Sequence, residues 1–417
     1  LSALEQEART YFELGKLDCR SEITRDCAIW AYQEAIRLDP DNPLLYLELA
    51  RVQAYSSMML STDEEQLARM QEALENVDQA VDLAPEDSSA LAIRAFVLDW
   101  YATKSLVPEN ERRAMLNEAE EVAQHAYFLD KSNTLALVYY AEILLDQQKW
   151  MQAEQTIHLA YEQPNAQTLM DYHRVNGLVA ENLAEYSRAV EEYVKASEIA
   201  PNLTFLYINI GKLLFYQKKY DEAFAYYGKA VTLNERLEIN DPTPYLAIAN
   251  GYANQGEFFA AVLNVRSALE LDPADPRVFA QLGMVYHRSK NYEGSIEAFH
   301  CALEGCTAEE ACKIHQSSEE CIPDENTPMV AVPGPMALTD TSVLYYYTYG
   351  SVLAGLHKPT RPYCDRAMGI LSMVRANYSD DPSIMSIVEA SEAICAAADA
   401  PEPGIEAAAT QTIEPTP

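Results

Sequence analysis

Two helical patterns alternate along most of the chain. In one, Ala28, Ala73, Ala119, Ala153, Ala189, Ala223 and Ala261 are each followed seven residues later by a second alanine: Ala35, Ala80, Ala126, Ala160, Ala196, Ala230 and Ala268. Ser295 and Ala302 continue the series. Seven residues make about two helical turns, so each pair lies on one helix face. Small residues there let a neighbouring helix approach closely. A bulky group between them, such as Tyr32, Tyr193, Tyr227 or Phe299, fills the adjacent gap.

The second pattern lies upstream of each pair and carries its own small residue: Ala50, Ala95, Ala141, Gly177, Gly211, Ala249, Gly283 and Gly350. The stretch FAQLGMVYHRSKNYEGSIEAFHCALE (279–304) shows both helices at once. Phe279, Leu282, Gly283 and Tyr286 carry the first, and Tyr292, Ser295, Phe299 and Ala302 the second. Pro40, Pro85, Pro201 and Pro273 follow second helices and stop them. From Ala153 onward the unit recurs every 34 to 38 residues.

This alternation resembles the tetratricopeptide repeat family, whose W-x2-L-G-x2-Y…A-x3-F…P pattern it matches in residue type. The resemblance covers about residues 5–380. It implies an all-α, right-handed superhelical α-solenoid of about nine helical hairpins, a C-terminal helix and an extended tail. Residues 1–304 hold about eight repeats, with insertions at 18–27, 56–70 and 102–112. An irregular Cys-containing insert follows at 305–338, then a degenerate ninth repeat at 339–380 with KPTRPY (358–363) between its helices. The terminal helix spans 381–400, and a Pro/Thr/Glu tail 401–417.

Charge narrows the partners. Thirty Lys and Arg stand against 64 Asp and Glu, a net charge of −34. Such a chain is repelled by phosphate backbones and anionic membranes, so nucleic acid is not an expected partner. The same charge also keeps an elongated surface soluble. No window approaches the roughly 18 uninterrupted apolar residues of a membrane helix. A start at Leu1 rather than Met predicts a removed signal peptide, a longer leader or a cloning remnant.

The eight cysteines avoid the regular stretch between residues 28 and 300. Cys19 and Cys27 bracket the first insertion and could staple it. Cys364 and Cys395 lie on the last two helices and could lock the terminus. Cys301, Cys306, Cys312 and Cys321 sit in or beside the long insert. Placement at inserts and ends predicts disulfides and an oxidising compartment, extracellular or at the cell surface, with periplasm or cytoplasm as the alternative. Zinc is the rival in the insert, where Cys306, Cys312, His315 and Cys321 could form a tetrahedral set. Two N-x-[ST] triplets, at Asn202 and Asn377, are glycosylation candidates.

The chain has no Gly-rich phosphate loop, nucleophile elbow or H-E-x-x-H helix, so neither catalysis nor a cofactor is expected. In the family, first helices line a concave groove that takes extended peptides. Carried over residue by residue, the N-terminal half offers Leu44, Leu47, Arg51, Ala92 and Phe96. Later units offer Arg174, Asn209, Lys212, Asn250, Asn254, Arg277 and Gln281. Amides there can pair with an extended backbone, and the cations favour a ligand carboxylate. The carboxylate-clamp pattern of chaperone-binding members is not reproduced.

The terminal helix places Ile384, Met385, Ile387, Val388 and Ile394 around several sides, which predicts a cover from the insert or another subunit. The tail that follows cannot build a core. Ile405 and Ile413 could fill pockets, and Glu402, Glu406 and Glu414 suit a basic groove. The leading expectation is therefore a secreted structural protein that assembles with itself head to tail, as a ring or filament. The alternative is a monomeric adaptor for another protein's peptide.

Overall fold

A computed structural model describes residues 2–19, 27–60, 62–318, 320–323 and 329–398. The tail with Ile405 and Ile413, and most of the first insertion, lie outside the described residues. Eight helical hairpins come first. They pair α1 (Ser2–Glu13) with α2 (Ala28–Leu38), α3 (Pro43–Ser57) with α4 (Asp63–Leu83), and α5 (Ser88–Ala102) with α6 (Glu109–Leu129). Next come α7 (Thr134–Asp146) with α8 (Trp150–Tyr161), α9 (Met170–Asn182) with α10 (Tyr186–Ile199), and α11 (Thr204–Tyr216) with α12 (Tyr220–Leu237). Then α13 (Thr243–Gln255) pairs with α14 (Phe258–Leu271), and α15 (Pro276–Arg288) with α16 (Tyr292–Glu304). A single helix α17 (Ala308–Gln316) precedes the ninth hairpin, α18 (Val343–Gly355) and α19 (Cys364–Tyr378), and α20 (Pro382–Ala398) closes the stack. Among the described residues there is no strand. The molecule is an α-solenoid.

The paired alanines are fully buried in every unit. Their function shows at the seams of α9–α10, α11–α12 and α15–α16, where the ring between the paired small residues lies against the glycine of the first helix. A Cβ built on Gly283 would lie 2.7 Å from the Phe299 ring, and one on Gly211 would collide with Tyr227. Gly283→Ala is expected to cost about 1–3 kcal/mol through overpacking, read as a lowered urea midpoint. The first helices α3, α5, α7 and α15 start on side-chain caps that follow the preceding turns. Asp87 accepts from Ser89 N at 2.7 Å and Asp275 from Arg277 N at 2.8 Å.

The hairpin turns share one backbone solution. Gln148, Ala184, Lys218, Gly256 and Lys290 all have positive φ, and each stands seven residues after its helix's small residue. Only Gly256 adopts that conformation without a Cβ penalty. Ala184→Gly is therefore expected to stabilise the chain by about 0.5–1 kcal/mol, raising its melting temperature slightly.

The first superhelical turn closes on itself. The Asn202 side-chain amide, in the α10–α11 turn, donates to the Glu13 carbonyl at 2.6 Å, and Arg236 donates to Asn202 Oδ1. Gly15, at φ +75°, packs so tightly that a Cβ would lie 2.8 Å from Asn202 Cβ. Inside this closure Phe205 of α11 stacks on Tyr55 of α3, with centroids 6.2 Å apart. One core runs from Ala8 to Tyr227 and a second from Ala249 to Cys395. Phe224 and Tyr252, stacked at 4.6 Å, bridge them.

All eight cysteines are paired, as Cys19–Cys27, Cys301–Cys306, Cys312–Cys321 and Cys364–Cys395. Cys306, Cys312 and Cys321 therefore have no thiolate to give a zinc ion, and no metal-binding cluster occurs among the described residues. The insert does not cover the terminal helix as expected. It lies on α14–α16 and the start of α18. Met336 N bonds the Ala302 carbonyl at 3.2 Å, Arg266 bonds Ser317, and Tyr346 OH donates to the Met336 carbonyl. The terminal helix itself is apolar mainly on one side. Met385, Val388 and Cys395 are buried in the stack with α18 and α19, and Ile384 is half-buried. Ile387 and Ile394 alone of its isoleucines stay exposed, at 38% and 48%.

Candidate peptide-binding surface

In the closed turn, the concave side chains of successive first helices meet in the middle and pair with one another. Asp171 is buried and accepts from Arg51 at 2.6 Å, from Tyr139 OH at 3.0 Å and from Tyr55 OH. Burial opposes its charge, yet Arg51 and Arg174 hold its carboxyl below the usual carboxylate range. Arg174 grips both oxygens of Glu142 at 2.6 Å, and Trp100 Nε1 donates to the same carboxylate at 3.0 Å. Arg174 is only 3% exposed, so its guanidinium is not open to a ligand. Placing it in the groove was the error of treating all units alike. Closure has turned this stretch of groove into core.

At the C-terminal ends of α7, α9, α11, α13 and α15 the face opens. Asp146, Asn182, Tyr216, Asn254 and Arg288 each stand five residues after the small residue of their helix, and all five are exposed. Their equivalents in the second and third hairpins, Tyr55 and Trp100, meet at 5.3 Å inside the closed turn, which identifies this as the concave row. Lys212 is exposed beside it, bonded to Glu181 at 2.8 Å with its ammonium 5.8 Å from the Tyr216 ring centroid. Arg288 donates to the Ala253 carbonyl at 2.9 Å, and Asn182 to the Leu178 carbonyl of its own helix at 3.0 Å.

The α11–α12 hairpin matches the sequence profile of the tetratricopeptide repeat over residues 204–237, and its seam, turn and register recur up and down the chain. The α11–α12 hairpin is a tetratricopeptide repeat. No curated protein matches the chain's sequence. Among solved structures it resembles a thermophilic TPR protein of Thermus thermophilus, 16% identical with a TM-score of 0.40, over 51% of this chain and 98% of that one. It also resembles PilF of Pseudomonas aeruginosa, at 16% identity and a TM-score of 0.37, over 58% and 98% of the two chains. YrrB, described as a TPR protein with an unusual peptide-binding site, is 16% identical with a TM-score of 0.28, over 50% and 94%.

Repeats of this type imply a protein–protein interaction scaffold. The other expected groove residues fall into two groups. Lys212, Asn250 and Asn254 are exposed on α11 and α13, and Asn209 is half-buried. Gln281 is buried and donates to Asn250 Oδ1, while Arg277 is held by the Asp275 carboxylate at 2.8 Å. Sequence reasoning missed Asp146, Asn182, Tyr216 and Arg288. Counting five onward from each small residue finds them. Asn202 is no free sugar acceptor, since its amide nitrogen is bonded at the closure. Asn377 is exposed on the last turn of α19. No described helix is long and apolar enough to cross a membrane.

At the head of the open row, Asp99 is fully buried, and neither of its carboxyl oxygens has a donor among the described residues. Its carboxyl instead meets that of Asp146, a residue exposed along its outer edge. Burial, then Asp146 and Glu142, raises the Asp99 pKa well above the usual carboxylate range. Burial and Glu142 push Asp146 up to about 7. A carboxyl whose folded pKa is raised gives stability that is present below its unfolded pKa and lost as pH rises through the folded value. The melting temperature should therefore fall between pH 5 and pH 8. Asp99→Asn should shrink that fall, measured by thermal melts at both pH values.

Proposed function

We propose that this protein is a non-enzymatic scaffold that holds an extended peptide of another protein along the open concave face of α7, α9, α11, α13 and α15. The observation that carries this reading is the exposed row Asp146–Asn182–Tyr216–Asn254–Arg288, one side chain per repeat, beside Lys212 and Asn250. Amides at repeat spacing suit the alternating N–H and C=O groups of an extended backbone. Four disulfides with no cysteine left over support an oxidising, extracellular setting.

Peptides selected from a random decamer library on the full chain test this. The expected result is at least one binder whose affinity falls about tenfold or more on Tyr216→Ala with Asn254→Ala, at unchanged melting temperature. Failure to select any binder from a correctly folded chain overturns the reading.

Head-to-tail self-assembly is the second reading. It is supported by Ile387 and Ile394, exposed seven residues apart on the end helix. It predicts oligomers in sedimentation at micromolar concentration that Ile387→Ser with Ile394→Ser disperses. A monomer throughout that range removes it.

A further inference from the structure

The carboxylates along the concave face are matched by cations, with one exception. Asp171 has Arg51, Glu142 has Arg174, and Glu181 has Lys212. Asp99 and Asp146 have each other, and their other acidic neighbour is Glu142. Arg174, the cation that bears on both, already has two nitrogens on Glu142. A proton shared between the two acids gives one Asp99 oxygen a donor and leaves the other without one. An ammonium or guanidinium docked on the exposed Asp146 carboxylate supplies the missing charge, with the shared proton kept on the buried Asp99 behind it. The pair is also placed to meet a ligand: Asp146 is the first exposed member of the row, and Asp99 lies directly behind it.

We propose that the Asp99–Asp146 pair is the receptor for a lysine or arginine side chain of the bound peptide. This rests on the peptide-binding reading above and adds a direction to it. The row runs from acid at Asp146, through Asn182, Tyr216 and Asn254, to the guanidinium of Arg288. A peptide with its cation at the α7 end and a carboxylate toward α15 matches both ends. The reversed charge order meets like charge at each.

Decamers selected on the full chain serve as the probes, with their Lys or Arg replaced by Gln one at a time. Binding is measured by fluorescence anisotropy to the unaltered chain, to Asp146→Asn, and to Glu121→Gln as an exposed acidic control. The expected result is one cationic position whose loss weakens binding about tenfold on the unaltered chain and has little effect on Asp146→Asn, which itself melts normally. Binders that carry no cation, or whose cations are indifferent to Asp146→Asn, overturn the receptor while leaving the groove intact. A folded chain that yields no binder overturns the groove and the receptor with it. Equal losses on Glu121→Gln and Asp146→Asn reduce the effect to general acidity and overturn the specific site.

Discussion

Arg174→Ala is expected to destabilise the N-terminal core by about 3–5 kcal/mol, which makes it one of the most damaging single changes available in this chain. The Arg174 and Glu142 side chains are 3% and 7% exposed, and removing the guanidinium leaves a buried carboxylate bonded only by Trp100. A urea melt followed by circular dichroism reads the loss. Two companion variants separate the cause. Lys212→Ala removes a cation from an ion pair of the same kind, but Lys212 is 47% exposed, so the change should cost under about 1 kcal/mol. Arg174→Met combined with Glu142→Leu removes both charges and should recover most of the stability. A loss of under about 1 kcal/mol for Arg174→Ala alone would mean that the first turn is open in solution.

Breaking the Cys364–Cys395 disulfide should have the second large effect. The two cysteines are 31 residues apart, and loop-closure entropy puts the contribution of such a crosslink at roughly 3–4 kcal/mol. The Cys301–Cys306 bridge spans only five residues and is worth about 2 kcal/mol on the same reasoning. Replacing Cys364 and Cys395 with serine should leave the N-terminal core intact and free α20, since the bond ties that helix to α19. Limited proteolysis would then cut first within 382–398. Ser391 to Ser351 and Arg375 to Glu392 would be left to hold the helix, at 2.7 Å and 2.5 Å. Unchanged protease resistance would show that packing alone secures the end.

The repeat architecture was legible in the sequence because one physical requirement recurs: a small residue must stand wherever the two helices of a hairpin cross. Ala141, Gly177, Gly211 and Gly283 announced their helices, and the structure puts rings against the three glycines. Two cysteine pairs were legible from their flanks, Cys19 with Cys27 and Cys364 with Cys395. The site was less legible. Arg174, three residues before its small residue, is drawn into the closed turn, while Lys212, one residue after its own, stays exposed. Closure depends on Glu13, Gly15, Asn202 and Arg236 coming together, and residues so far apart leave no periodic trace. The end helix misled for a related reason. Its isoleucines look scattered until α18 and α19 are in place to receive Val388 and half-bury Ile384.

A helical-repeat chain ordinarily behaves as a spring, because each unit touches only its neighbours and the coil can stretch or bend at every joint. Here the first coil is hooked: Gly15 and the Glu13 carbonyl are fastened to Asn202, and Phe205 stacks on Tyr55. A pull on the N-terminus would load those contacts before any repeat could separate from the next. Compliance is left to the segment beyond α12, where the two cores join. The molecule is thus a stiff collar carrying an elastic arm, and the open row starts on the collar and reaches the arm only at Asn254 and Arg288.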